Sequence, residues 1–537
     1  MAIDQMVADL DRRYSKLLTK RSNWESLWQE LGDYVLPRKA EITKKRIQGG
    51  KRTELIFDST AVHAVELLAS SLHGMLTNAA MSWFSMQYRD IELAKDDKAN
   101  EWLAKCTRLL DKALKRSNFN QEIHELYFDL VVFGTGCLFI EYDEEGLRFS
   151  ARHIGEITIS ANGKNKIDTV YRTFKMTARQ IAQKFGKENL PDRVQKDLMK
   201  EPYNEHEVVH VVYPSSDAIQ NVFKKPVASC YYHKDSKAVL QRGGFDEFPF
   251  CVPRFNLDST SIYGRSPAMS CLADVKMVNK MSEVSIKSAQ KQLDPPLLAP
   301  DDGFFAPIRT TPGALNFYRS GTRDRIEPLV AGTQTPIPLQ MEEQRRNAIR
   351  AAFYVDQLQL QQGPQMTATE VLQRNEEKMR LLGPVMGRLQ TELLQPLINR
   401  SFQLMLRNGQ LPDAPPELQG RDIDIEYVSP LAKAQKTTDL QSVLRGLEAF
   451  IGLREIAPGV MDYIDDQGLV KYVVDVAGIP AEIIRSDSEV EEIREEQAEM
   501  QAMQLEQQQQ MMAAEQAQKA APMMKVLTES EATESAA

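Results

Sequence analysis

Cysteine is scarce: Cys106, Cys137, Cys230, Cys251 and Cys271 are dispersed through 537 residues with no CxxC pair. That spacing argues against a disulfide framework or a zinc knuckle and fits reduced thiols in a cytosolic setting. No apolar run approaches the roughly 20 residues that cross a bilayer, so no membrane partner is expected. The opening Met1-Ala2-Ile3-Asp4-Gln5-Met6 has neither the basic start nor the apolar core of a signal peptide. The chain contains no GxxxxGKS/T phosphate loop and no GxSxG nucleophile elbow. A basic surplus is missing too, since the formal net charge is −9. Proteins that grip phosphate to read sequence usually carry excess Lys and Arg. Tight sequence-specific DNA binding is therefore disfavoured, whereas DNA passing a like-charged wall without sticking is not.

Hydrophobic content of 42% and charged content of 26% are those of a globular protein. The length points to a few subdomains rather than one core. The chain is organised around residues 266–409. Ser266-Pro267 sets an N-cap residue before a proline at the first helical position, and the helix it opens ends before Asp294-Pro295-Pro296. Its apolar residues Met269, Leu272, Val275, Val278, Met281 and Val284 recur every third position. Each step of three advances about 300°, so the stripe winds round a helix roughly 39 Å long and meets different neighbours along it. A Pro/Gly-rich segment runs to Pro338, and a second helix spans about Leu339 to Val355. The polar, uncharged loop Gln357 to Gln365 leads to Thr367-Ala368-Thr369-Glu370, a capping box that opens a long helix to about Leu406. Gly383-Pro384 and Pro396 should bend that helix.

Ahead of this unit, the spacing predicts a helix from Leu10 to Val35, closed by Pro37. The basic loop Arg38 to Arg52 reads more readily as solvated than as a DNA contact. Asp58-Ser59-Thr60 caps a helix to about Asn78, and Met81 to Phe84 forms an aromatic anchor. Further helices carry Trp102 to Leu114 and Phe119 to Val131, the last broken by Gly134-Thr135-Gly136. That GxG lacks a third glycine and precedes a strand, so it reads as a turn. Strands are predicted at 137–142, 147–151, 156–160, 167–175, 207–213, 228–233 and 238–242. Turns are expected at Asn162-Gly163 and Gly243-Gly244, and a short helix at Thr177 to Phe185. After the long helix come a Pro-rich break, a strand at 422–428 and helices from 431. From Ser486 the tail turns acidic, then Met/Gln-rich, and reads as helix or disorder. The fold class is α+β, mainly α.

One string looks catalytic. His206-Glu207-Val208-Val209-His210 matches HExxH, which needs both imidazoles on one helical face around a zinc ion. Here it is Val-rich and runs into Pro214, so it reads as a strand. Residues four apart in a strand lie roughly 13 Å from each other, too far to share one metal. Asp462, Asp465 and Asp466 have no His or Cys nearby in sequence and read as an exposed helix end. No catalytic constellation, metal site or cofactor is expected.

Several short strings occur in a telling order: Tyr14, Trp28 and Tyr34-Val35-Leu36-Pro37; Leu67 to Trp83; Gly134-Thr135-Gly136-Cys137-Leu138-Phe139; Ser261-Ile262-Tyr263-Gly264-Arg265-Ser266-Pro267; Met366-Thr367-Ala368-Thr369-Glu370-Val371; and Glu392-Leu393-Leu394-Gln395-Pro396-Leu397. Their order and spacing resemble the portal, or head-to-tail connector, proteins of short-tailed bacteriophages, over nearly the whole chain. The resemblance implies a phage portal fold of wing, stem, clip and crown, assembled as a ring of about twelve copies round a central channel. By position, 1–265 resembles the wing, 266–292 and 339–356 the stem helices, and 293–338 the clip. Residues 357–366 resemble the tunnel loop, 367–408 the long wing helix, 409–485 the crown, and 486–537 a barrel helix or disordered tail.

The implied role is a conduit for double-stranded DNA at one capsid vertex, during genome packaging and ejection. The implied partners are further copies of the chain, the terminase large subunit, tail adaptor or nozzle proteins, and the major capsid and scaffolding proteins. The implied location is the virion, after assembly in the host cytoplasm. Gln357, Gln359, Gln361, Gln362 and Gln365 of the tunnel loop would graze the DNA. Lys287, Lys291, Arg345 and Arg346 would face the channel, or pair across subunits with acids such as Asp274, Glu283, Glu342 and Glu343. Phe304, Phe305, Arg309, Arg319, Arg323 and Arg325 of the clip would meet motor and adaptor. The rival readings are another head scaffold or adaptor protein and, more remotely, a zinc hydrolase built on His206 and His210.

Overall fold

The computed structural model describes residues 2–45, 49–80, 82–88, 96–188, 190–217, 224–293, 297–298, 327–328, 337–358, 381–416 and 425–428, with scattered residues between 443 and 512. Helix α1 (Ala2–Tyr34) stops just before Pro37, whose missing N–H and fixed φ end the run. α2 (Thr60–Leu76) buries Ala64, Val65, Leu68, Ala69 and Leu72 on one face, the spacing of an amphipathic helix. Trp83 stacks on Phe119, with ring centroids 5.7 Å apart, and so anchors the chain ahead of strand β1 (Ser85–Tyr88). α3 (Asp97–Arg116) and α4 (Phe119–Phe133) follow, and Gly134 closes α4 in the left-handed conformation at φ +75°.

The strands then appear where alternation places them. β2 (Leu138–Asp143) and β3 (Gly146–Ala151) form a hairpin. β4 (Ile157–Ala161) and β5 (Ile167–Thr177) turn at Asn162-Gly163. A reciprocal capping box between Thr177 and Gln180 opens α5 (Ala178–Phe185). α6 (Asp192–Lys200) is not among the helices expected from the sequence; it is only nine residues long, and its packed apolar residues, Val194 and Leu198, are too few to mark it. β6 (Glu205–Pro214), β7 (Val227–His233) and β8 (Val239–Phe245) complete an antiparallel sheet in the order β4-β5-β6-β7-β8. β9 (Phe250–Cys251) joins the hairpin in the order β3-β2-β9.

Gly243-Gly244 is not the expected turn. Both residues lie inside β8, opposite Ser229 and Ala228 of β7. A Cβ on Gly244 would come within 2.9 Å of the Val227 carbonyl oxygen, so the strand needs the small residue there. Period two divides β6 cleanly. Val209 and Val211 face α1 with Met6, Val7, Leu10 and Tyr14, whereas Val208 packs under α5 and α6 with Ile181 and Val194.

α7 (Pro267–Leu293) opens at the expected proline. Strands β10 (Leu297–Leu298) and β11 (Glu327–Pro328) pair antiparallel in the segment that follows. α8 (Ile337–Ala352) ends at a left-handed Tyr354 with φ +58°, and the single turn α9 (Val355–Leu358) restarts beyond it. The capping box at Thr367 lies outside the described residues. The long helix is seen from 381, and 381–389 runs helically through Gly383-Pro384. The distortion expected at Pro396 takes the form of a π turn, Gln390–Leu394, before α10 (Gln395–Arg407). The Gln395 N–H donates to the Gln390 carbonyl, and the wider turn accommodates a proline that lacks a donor. β12 (Ile425–Val428) pairs with β1.

The chain forms two compact units. One comprises Met1–Gln87, Cys106–Asp413 and Ile425–Pro430; the other comprises Tyr88–Lys105, Ala414–Asp424 and Leu431–Ala537. In the second unit the Tyr88 hydroxyl donates to the Ala99 carbonyl at 3.0 Å, and the described residues from 443 onward are helical. Asp462, Asp465, Asp466 and most of the tail lie outside the described residues.

Candidate functional site

Two of the strings ahead of the helix pair, Gly134-Thr135-Gly136 and Tyr263-Gly264-Arg265-Ser266, meet in space. Gly134 and Gly264 approach so closely that a Cβ on either would collide with the other's carbonyl oxygen. Thr135 Oγ1 accepts the Gly264 N–H at 2.8 Å. Ser266 Oγ donates to the Val132 carbonyl at 2.7 Å and accepts the Met269 N–H at 3.0 Å. Ser266 is therefore both the N-cap of α7 and its tie to α4. The loop before α7 is held from the other side by buried Arg254. Its backbone N–H and its guanidinium donate to Glu392 at 3.0 and 2.6 Å, and it also reaches the Asn165 carbonyl at 2.9 Å. Glu392 sits in the π turn, so that distortion carries the carboxylate that fixes the root of α7.

α7 and α8 pack side by side. Buried Asn279 of α7 accepts the N–H groups of Phe57 and Asp58 at 2.8 and 3.1 Å and donates to the Val275 carbonyl at 2.9 Å. Asp58 Oδ1 accepts the Thr60 N–H at 2.9 Å, so the first free N–H of α2 is met from the residue before the N-cap, Ser59, whose own side chain makes no cap bond. The other Asp58 oxygen accepts from Arg346 Nε of α8 at 2.8 Å. Arg346 also meets Glu342 at 3.3 Å, and Glu342 Oε1 accepts from Ser285 Oγ of α7 at 2.7 Å. Burial pushes the Asp58 carboxyl up, but hydrogen bonds from Thr60 and Arg346 outweigh it and hold it below its usual value. Asp58 in turn raises Arg346. The helix pair is thus bonded to the start of α2 by a network in which each charge holds its partner charged.

The structure places the expected residues as follows. Arg346 belongs to this network. Arg345 pairs with Asp274 at 3.0 Å, Lys287 and Lys280 both pair with Glu283 at 2.5 and 2.9 Å, and Arg350 meets Glu343 at 2.9 Å. The four acids considered for contacts across subunits are thus engaged within one chain. Lys291 is exposed near the end of α7. Gln357 lies in the single turn α9, where its N–H donates to the Tyr354 carbonyl at 3.2 Å. Gln359, Gln361, Gln362 and Gln365 lie outside the described residues, as do Phe304, Phe305, Arg309, Arg319, Arg323 and Arg325.

His206 and His210 lie on strand β6, as the valine pattern predicts, and not on the helix that a HExxH site requires. His206 Nε2 is 3.2 Å from Asp197 Oδ2, while His210 Nε2 meets Ser229 Oγ at 3.0 Å. Among the described residues no three His, Cys, Asp or Glu side chains gather as metal ligands. The basic loop folds onto its own chain: Arg38 pairs with Glu125 and Lys39 with Asp129, both at 2.7 Å, Lys44 pairs with Asp33 at 3.3 Å, and Arg52 pairs with Glu41.

The winding stripe of α7 divides in two. Leu272, Val275 and Val278 are buried, but Val284 is 56% and Ile286 45% exposed, as is Met341 of α8 at 41%. Among the described residues, the far half of the pair therefore shows exposed apolar side chains. Sequence reasoning missed Asn279 and Arg254, and marked Glu392 only as part of a string without its pairing role. A polar residue one step off an apolar stripe was the available sign for Asn279; the pairing of Arg254 with Glu392 carries no local signal.

Comparison with known proteins bears on this arrangement. A family model described as bacteriophage head to tail connecting protein matches residues 7–484. The "Probable portal protein" of Bordetella phage BPP-1 is 31% identical over 514 residues, covering 91% of this chain and 90% of the relative. The "Portal protein" of Salmonella phage epsilon15 is 30% identical over 503 residues, with 91% and 90% covered. A chain from a solved virion of a native gene transfer agent particle aligns over 83% of this chain and 99% of its own, at 13% identity and a TM-score of 0.37.

Proposed function

The chain belongs to the bacteriophage head-to-tail connecting protein family, and from that membership we propose that it forms a dodecameric ring at one capsid vertex and conducts double-stranded DNA through its centre. The duplex passes inward during packaging and outward during ejection. Terminase docks on the ring first, and tail adaptor proteins replace it; capsid and scaffolding proteins hold the rim. α7 and α8 act as the stem, 293–338 as the clip, 357–366 as the tunnel loop, and 409–485 as the crown.

The observation that carries this reading is the bare far half of the α7–α8 pair. Val284, Ile286 and Met341 are exposed on helices whose near ends are locked into the body. A neighbouring copy set beside the pair would cover them and leave the opposite face to line an opening. Lys287 and Lys291 then lie near the passing duplex, and Gln359, Gln361, Gln362 and Gln365 of the tunnel loop are the residues that graze it. An acidic chain suits a wall that must not hold phosphate tightly.

The clip residues Phe304, Phe305, Arg309, Arg319, Arg323 and Arg325 supply the docking surface. Complementation of a portal-deficient phage with Phe305→Ala or Arg323→Ala tests this part. The expected outcome is normal rings and heads with little packaged DNA; full packaging in both variants contradicts it.

A further inference from the structure

A separate cluster lies on the five-stranded sheet. Strand register sets Arg172 of β5, His210 of β6 and Tyr231 of β7 side by side on one face. The His210 and Tyr231 rings stack with centroids 3.8 Å apart, and Phe139 of β2 meets His210 edge-on at 6.0 Å. Three cations surround this stack. Lys184 Nζ of α5 is 5.0 Å from the Tyr231 ring centre, Arg152 Cζ is 5.6 Å from that of Phe139, and Arg172 Cζ is 4.0 Å from that of Phe174.

The local acids do not balance them. Glu156 is bound to Arg172 Nε at 2.9 Å, and Glu141 lies 4.0 Å from Arg148. Among the described residues neither Arg152 nor Lys184 forms an ion pair, and Arg152 Nε is buried with no hydrogen-bond partner. Burial lowers the pKa of both groups, and the neighbouring cations lower it further against the pull of Glu141. The three cations outnumber Glu156 and Glu141, the acids that offset them, so the cluster holds net positive charge that the fold answers only in part. The Lys184 side chain is exposed overall although its ammonium, beside the Tyr231 ring, is partly desolvated, so the cluster opens to solvent on its side, with buried His210 behind.

We propose that Arg152, Arg172 and Lys184 form a binding site for a phosphate group. A carboxylate offers two coplanar oxygens and one charge, which a single guanidinium satisfies. Phosphate offers more oxygens and up to two charges, which suits donors arriving from three separate elements. The group is either free phosphate or a backbone phosphate of duplex DNA.

Calorimetric titration of the full-length protein with inorganic phosphate, acetate and a short duplex tests the site. The variants are Arg152→Gln and Lys184→Gln, with Lys16→Gln on α1 as a remote control. Phosphate binding should weaken by at least about tenfold in the two site variants and not in the control. If duplex binding falls in parallel, the phosphate is a phosphodiester; if duplex binding is absent or unchanged, it is the free ion. No phosphate binding, equal binding in all variants, or acetate bound as tightly as phosphate overturns the proposal. Relief of repulsion should also leave the Tm of both variants in chloride buffer unchanged or higher. A fall would mean that the cations serve packing, and would count against the site.

Discussion

Arg346 Nε donates to Asp58 Oδ2 at 2.8 Å, across 288 positions of sequence. This one bond ties the second helix of the pair to the start of α2, and Asn279 ties the first helix to the same loop.

Asp58→Ala should leave Arg346 with glutamate partners alone and remove a bond from the first turn of α2. A loss of about 2–3 kcal/mol is expected, measured by urea unfolding. The pH dependence has a definite sign. The folded-state value of Asp58 is depressed, so its contribution is fully present above the ordinary carboxylate range. It is lost as pH falls through the folded value. Asp58→Asn should therefore show a shallower acid limb than the native protein, and an identical limb contradicts the assignment.

Glu392→Ala should cost more, about 3–5 kcal/mol, because Arg254 is only 3% exposed and would be left charged without its carboxylate. Pairing Glu392→Leu with Arg254→Met should recover much of the loss. A double variant as unstable as the single one would mean that the ion pair does not fix the root of α7.

His210 supplies a second pH signal. Burial holds its pKa well below the usual histidine value, and Lys184, Arg172 and Arg152 depress it further. The unfolded chain therefore takes up a proton that the native state refuses. Stability should fall as pH drops below about 6.5, by up to about 1.4 kcal/mol per pH unit. His73 and His233 are lowered too and add to the same slope. His210→Phe should reduce the slope between pH 6.5 and 5 by roughly one proton's worth, seen in urea midpoints.

All five thiols are buried. Burial raises Cys106, Cys230, Cys251 and Cys271 to about 12 and moves Cys137 up as well. Native protein should react with a thiol reagent at pH 8 at least about a hundred times more slowly than urea-unfolded protein, since only the thiolate attacks. Fast modification of any one cysteine in the native state would contradict its burial.

Local chemistry made much of the body legible. Val209 and Val211 alternate with His206, Val208 and His210, and that period exposed both β6 and the false zinc motif. Ser266 announced its helix because capping is settled within four residues. Pairs such as Arg254 with Glu392 are 138 positions apart, and no local pattern marks them. Gly243-Gly244 misled because glycine serves close strand approach as well as turns. Pro396 signalled a distortion but not its π form. The expected channel cations were legible as charge, but their partners depended on how α7 and α8 dock. Arg152, Arg172 and Lys184 are unremarkable singly, and only the sheet brings them together.

Electron microscopy of the purified full-length protein, viewed down the particle axis, bears most directly on the ring. Annular particles with twelvefold symmetry and a central opening wide enough for duplex DNA are expected. Particles with the mass of a monomer or dimer at high concentration, with no annulus, would contradict the proposal that α7 and α8 of many copies wall a shared channel.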